Sequence, residues 1–132
     1  MAAVVRRLDS FDRDVAAALQ NASPELQRRV AEFAAEWAVA HTGLAHPALA
    51  KDSVADVAAL VAELDDRYFT LSEERDEGRV STDDVVAAFG LARAASAVEF
   101  FRRGEPAEAI YEAAASVEDW SELRAALVAR LG

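Results

Sequence analysis

From Val85 to Phe101 only Arg93 and Glu99 are charged, and apolar residues recur at helical spacing on two sides at once. One stripe is Val85, Phe89, Ala92, Ser96 and Phe100; the other is Ala87, Leu91, Ala94, Val98 and Phe101. A surface helix needs one apolar stripe, so a helix with two is a central one, covered by neighbours on both sides. The chain therefore reads as all-α, a single compact bundle of about six helices around a buried central helix over about 82–103.

Cap signals mark the ends of that helix and of its neighbours. Ser81-Thr82-Asp83-Asp84 resembles a capping box, and Gly104 follows the last periodic residue. Before it, Val4, Leu8, Phe11, Val15 and Leu19 predict a first helix over about 3–20, closed by Asn21. Ser23-Pro24-Glu25 opens a second over about 24–42, with Ser23 as N-cap and Pro24 where a missing N–H costs nothing. Its stripe is Leu26, Val30, Phe33, Trp37 and His41, and Gly43 suits the left-handed residue that ends it. Leu44 to Asp52 is a connector. Ser53-Val54-Ala55-Asp56 starts a third helix that keeps period through Val57, Leu60, Val61, Leu64, Tyr68 and Leu71 to about Glu77, where Gly78 breaks it. Pro106 opens a short fifth with Ile110, Tyr111 and Ala114 inward, and Ser116 to Asp119 caps a sixth carrying Trp120, Leu123, Leu127 and Leu131. The second, third and sixth helices are expected on the two apolar faces of the central one. No alternating strand pattern and no fixed-length repeat interrupts this reading, so residues 1–132 form one helical domain.

The chain of 132 residues is long enough to bury one hydrophobic core unaided, and with no cysteine it must do so without disulfides. Charges recur throughout, leaving no membrane-spanning run and no export signal, and the expectation is a soluble cytoplasmic protein. The abundance of alanine, arginine and valine points to a GC-rich bacterial genome. With 24 acids against 14 bases and a formal charge of −10, the chain repels phosphate backbones and anionic membranes, which argues against nucleic acid and membrane partners.

Little in the sequence offers catalysis. His41 and His46 flank a helix end and a proline turn, and the five-residue step from Glu36 to His41 points the two side chains apart, so no metal is expected. Ser23, Ser53, Ser81 and Ser116 are accounted for as caps, and Ser96 sits inward, where its hydroxyl can bond the preceding turn. The five glycines are scattered and form no phosphate loop. No cofactor is implied.

Carboxylates are the abundant resource. Glu63 to Asp84 holds nine acids and three bases, whereas residues 1–30 hold five arginines and four acids. At about 100° per residue, Glu63, Asp66, Glu73 and Glu77 share the face opposite Val57, Leu64, Tyr68 and Leu71, and Glu74, Asp83 and Asp84 extend the charge around the following turn. Such a ridge serves either as a solvated face that keeps an alanine-rich protein in solution or as a docking surface for a basic protein. Phe69 lies about 130° from the centre of the apolar stripe, beside Asp65 and Asp76. If a neighbouring helix covers it, Phe69 is core; if exposed, it is an apolar anchor inside a charged rim, as at binding hot spots.

The segment Phe89-Gly-Leu-Ala-Arg-Ala-Ala-Ser-Ala-Val-Glu-Phe-Phe, continuing through Glu105-Pro-Ala-Glu-Ala-Ile-Tyr-Glu-Ala, with Leu64-Asp-Asp-Arg-Tyr-Phe upstream, resembles small all-helical immunity-type proteins of bacterial polymorphic toxin systems. The resemblance covers the second half of the chain and carries no motif from which a functional residue transfers. It implies a non-catalytic inhibitor that binds and blocks a toxin domain, often a basic nuclease. The expected function is thus a non-catalytic protein-binding module for a basic partner through Glu63, Asp66, Phe69, Glu73, Glu74, Glu77, Asp83 and Asp84. Two other classes stay open: a structural or regulatory homodimer joined through surplus apolar surface, and a small-molecule-binding helical domain or enzyme with a pocket lined by Trp37, Tyr111 or Trp120.

Overall fold

A computed structural model describes residues 7–132. Within them the chain forms seven α-helices: α1 Arg7–Phe11, α2 Arg13–Gln20, α3 Pro24–Thr42, α4 Val54–Asp76, α5 Thr82–Arg102, α6 Pro106–Ala115 and α7 Ser121–Leu131, with a 3₁₀ turn at Pro47–Ala50 between α3 and α4. Most boundaries follow the caps. Ser23 accepts the Leu26 N–H, Ser53 accepts the Asp56 N–H, and Ser81 and Asp84 close a reciprocal capping box. Gly43 ends α3 in the left-handed region, at φ 72°, where a side chain would be strained.

The long first helix expected over 3–20 is two. Val4 and the residues around it lie outside the described residues; within them Asp12 leaves the helical region and caps α2, accepting the Val15 N–H at 3.0 Å. An aspartate competes for backbone donors and favours an N-cap over a helix interior. Its other oxygen takes the Arg124 Nε–H of α7 at 2.6 Å, which ties the N-terminal helices to the C-terminal one. The expected cap at Ser116 is also displaced. Ser116 is buried, its hydroxyl donates to the Ala113 carbonyl at 2.6 Å, and it terminates α6. The start of α7 is organised instead by Asp119, which accepts from the Ser121 N–H and hydroxyl.

The central helix is α5, packed against α3, α4 and α6. The fifth expected helix, α6, takes the place assigned to the sixth; α7 packs on α2 and α3. The cause is at Gly90, where a Cβ would stand 2.6 Å from the Ser116 carbonyl oxygen, so only glycine lets the end of α6 approach so closely. Ala94, Ala95 and Ala97 are fully buried, and their small side chains allow similarly close packing. The same core holds larger residues from α1, α2 and α7: Leu8, Leu19, Leu123 and Leu127 are buried, each worth roughly 1.5–3 kcal/mol over exposure.

One part of the bundle contributes little to this core. Val57 and Leu60 are the only fully buried residues of α4, both in its first two turns. Before Gly90, α5 buries only Val85 and Ala88. Because α6 ends opposite Gly90, the distal half of α4 and the start of α5 form a two-helix arm. Phe89, Val86 and Ala87, which belong to or adjoin the expected stripes, are accordingly exposed.

Candidate partner-binding surface

The acidic residues of the arm occupy three different settings. Glu63, Asp66 and Glu73 are exposed on the outer face of α4, and Glu77, the residue that closes the helix, is exposed beside Arg79 with a 2.7 Å ion pair. From Glu63 to Glu77 this line runs about 21 Å at 1.5 Å per residue. Glu74, in the last turn of α4, is half-buried. Asp83 and Asp84 are exposed in the first turn of α5, and the Asp84 carboxylate takes the Ser81 N–H at 3.3 Å.

Helix electrostatics separates these groups. Carboxylates are favourable at a helix N-terminus, where free N–H groups point outward, and unfavourable at a C-terminus, where free carbonyls do. Asp83 and Asp84 therefore stabilise α5. Glu73, Glu74, Asp76 and Glu77 crowd the carbonyl pole of α4, with Arg75 the one base in its last turn. Asp76 and Glu77 face Arg75 and Arg79 at 3.6 and 2.7 Å, but Glu73 and Glu74 work against the helix that carries them, so folding does not explain their placement.

Phe69 is 62 % exposed. Asp65, Asp66, Glu73 and Asp76 stand at i−4, i−3, i+4 and i+7 from it, the positions that surround a side chain on a helix surface. Its ring lies 5.4 Å from that of Tyr68, which in turn meets the Phe89 ring at 5.2 Å in an edge-to-face arrangement. Phe89 and Val86, 38 % and 40 % exposed, continue the apolar surface onto α5.

A chain of charges supports the base of the arm. Arg93 joins Asp65 of α4 at 2.6 Å and Glu112 of α6 at 2.9 Å, and its guanidinium lies 5.6 Å from the Phe89 ring centre. Glu112, almost wholly buried, also accepts from Arg7 of α1 at 2.8 Å, and Arg7 reaches Glu108 through Nε at 2.9 Å. Burial alone would lower the Arg93 guanidinium; the charge of Glu112 and the bond to Asp65 outweigh it and hold the group above its ordinary value. Arg7 behaves alike, its burial outweighed by Glu108 and Glu112. Glu112 thus joins α1, α5 and α6 directly, and Arg93 extends the network to α4 at the base of the aromatic surface. Sequence reading missed this network, although Arg93, the sole base between Val85 and Phe101, was its signal: a cation there needs a carboxylate.

The remaining aromatic candidates pack against other rings. Trp37 stacks on His41 at 3.8 Å between ring centres, and Tyr111 and Trp120 both pack on Phe11. A larger groove of about 330 Å³ lies at the other end of α5, lined by Arg28, Phe101 and Arg102 among others. There the Arg102 guanidinium is engaged with the carbonyls of Ala48, Leu49 and Ser53. Among the described residues no three His, Asp or Glu side chains converge as metal ligands, and no helix is long and apolar enough to cross a membrane. No protein-family model, no curated protein and no solved structure matches the chain.

Proposed function

We propose that this chain is a non-catalytic protein-binding module that docks a basic protein through the arm formed by α4 and the start of α5. The observation that carries this reading is Phe69, an aromatic left 62 % exposed and surrounded by carboxylates. An exposed ring of this kind gives a partner an apolar anchor, and the acids around it steer and select a cationic surface. Glu73 and Glu74 at the carbonyl pole of α4 support the same reading, since they oppose helix stability where they stand. An inhibitor of the immunity type, blocking a basic toxin domain, is the physiological role that fits this chemistry.

Association of two copies through this surface fits less well. An isologous contact centred on Phe69 would set Asp66, Glu73 and Asp76 against the same acids of the second copy. The test is affinity capture with wild-type and Glu73→Lys/Glu77→Lys baits, washed at low and high salt. A basic protein retained by the wild type, released by salt and lost with the variant supports the proposal. A partner set unchanged by charge reversal and by salt would refute it.

A further inference from the structure

We infer that the occupant of the arm is an amphipathic, basic α-helix of the partner, laid along the Phe69–Tyr68–Phe89 surface to complete a three-helix layer. This rests on the basic-partner reading above and adds the form of the partner to it. Two helices side by side leave a linear apolar seam, and elsewhere in this molecule a third helix covers such a seam: α6 packs on both α3 and α5, which pack on each other, and it covers α5 up to Gly90. Past Gly90 toward the arm's tip, Phe69, Phe89 and Val86 are left exposed in line. The seam accepts a helix more readily than an extended strand, because the arm's backbone N–H and C=O groups are paired within α4 and α5 and offer no edge. The carboxylates choose the sign of the occupant's charge. Asp66, Glu73 and Asp76 border the seam on α4, and Asp83 lies at its α5 end, whereas Asp84 lines the opposite groove with Leu71 and Ala87. An acidic helix or a second copy of this chain would meet like charge there. The fitting sequence has aliphatic residues at i, i+3 or i+4 and i+7 to meet Phe69, Val86 and Phe89, with Lys or Arg on the flanks.

The test uses the full chain and three synthetic peptides of about fifteen residues, roughly 22 Å as a helix. The first has a leucine stripe at helical spacing flanked by lysines, the second the same residues scrambled so that no stripe forms, and the third the stripe flanked by glutamates. Affinity is read by fluorescence anisotropy, and the binding site by amide chemical shifts. Phe69→Ala and Phe89→Ala remove exposed rings, and circular dichroism checks that both variants fold as the wild type does. The inference predicts that the striped lysine peptide binds, shifts amides across residues 65–76 and 82–93, and weakens about tenfold or more in Phe69→Ala. It also predicts that the other two peptides bind at least about tenfold more weakly. Equal binding of the scrambled lysine peptide, unaffected by Phe69→Ala, would overturn the helix-in-seam inference and leave the basic-partner reading standing. Equal binding of the glutamate peptide would overturn both. Failure of all three peptides, shifts confined to the opposite groove of Leu71, Ala87 and Leu91, or self-association abolished by Phe69→Ala would each overturn the inference.

Discussion

Replacing Glu73 and Glu74 by glutamine removes two carboxylates from the last turn of α4 while keeping side-chain size and helix propensity. Glu77 is left in place because it pairs with Arg79 at 2.7 Å. A carboxylate near a helix carbonyl pole costs roughly 0.3–1 kcal/mol at low salt, and the lower half of that range applies to Glu73, which is exposed. The double variant should therefore be about 1 kcal/mol more stable than the wild type in low salt. For a domain of this size that corresponds to a rise of about 3–6 °C in Tm. At about 1 M salt the Debye length shrinks to about 3 Å, and the gain should fall to a few tenths of a kcal/mol. Urea titrations of both proteins at the two salt concentrations measure it. The same variant should bind the basic partner more weakly, so stability and affinity move in opposite directions. A double variant less stable than the wild type at low salt, or a gain indifferent to salt, would refute the reasoning that these acids are kept for something other than folding.

Gly90→Ala should destabilise, against the usual gain of about 1 kcal/mol for Gly→Ala in a helix. The new Cβ would sit 2.6 Å from a backbone carbonyl, and overpacking of this kind costs about 1–3 kcal/mol; unfolding free energies give the sign. Glu112→Gln should cost about 2–4 kcal/mol, less than complete loss of a buried ion pair, because Arg93 keeps Asp65 and Arg7 is half exposed. A loss below about 0.5 kcal/mol in urea unfolding would show that the charges are not coupled. The hydrogen bond from Arg124 and the Val15 N–H hold the Asp12 carboxyl below its ordinary value. Its contribution is therefore present above about pH 4 and lost as the pH falls from there. Asp12→Ala should cost about 1 kcal/mol or more near neutrality and progressively less in acid, as read from stability against pH.

The helices were legible in the sequence wherever a cap and a hydrophobic period agreed. Ser23-Pro24, Gly43, Ser53 and Ser81 placed three long helices to within a residue or so. The period alone misled at Asp12, because Leu8, Phe11 and Val15 keep helical spacing across a break that one side-chain cap imposes. Ser116 had the spacing of a cap, but its hydroxyl bonds back to Ala113, a choice made by burial rather than by local sequence. Which helix covers α5 turned on Gly90, whose role appears only when the Ser116 carbonyl is brought against it.

The surface divided in the same way. The outward line of Glu63, Asp66, Glu73 and Glu77 follows from helical geometry alone. The exposure of Phe69 does not, since it depends on where α6 stops. Nothing in the sequence singles out Glu112 in its short helix; tertiary packing buries it between Arg7 and Arg93.

The account is tested most directly by the rate at which the captured basic partner associates with this chain, measured by stopped flow across a range of ionic strength for the wild type and Glu73→Lys/Glu77→Lys. Docking through the acidic arm predicts a wild-type rate that falls steeply with salt and a slower variant with a flatter salt dependence, the two converging at high ionic strength. Equal rates and equal salt slopes for both proteins would contradict it.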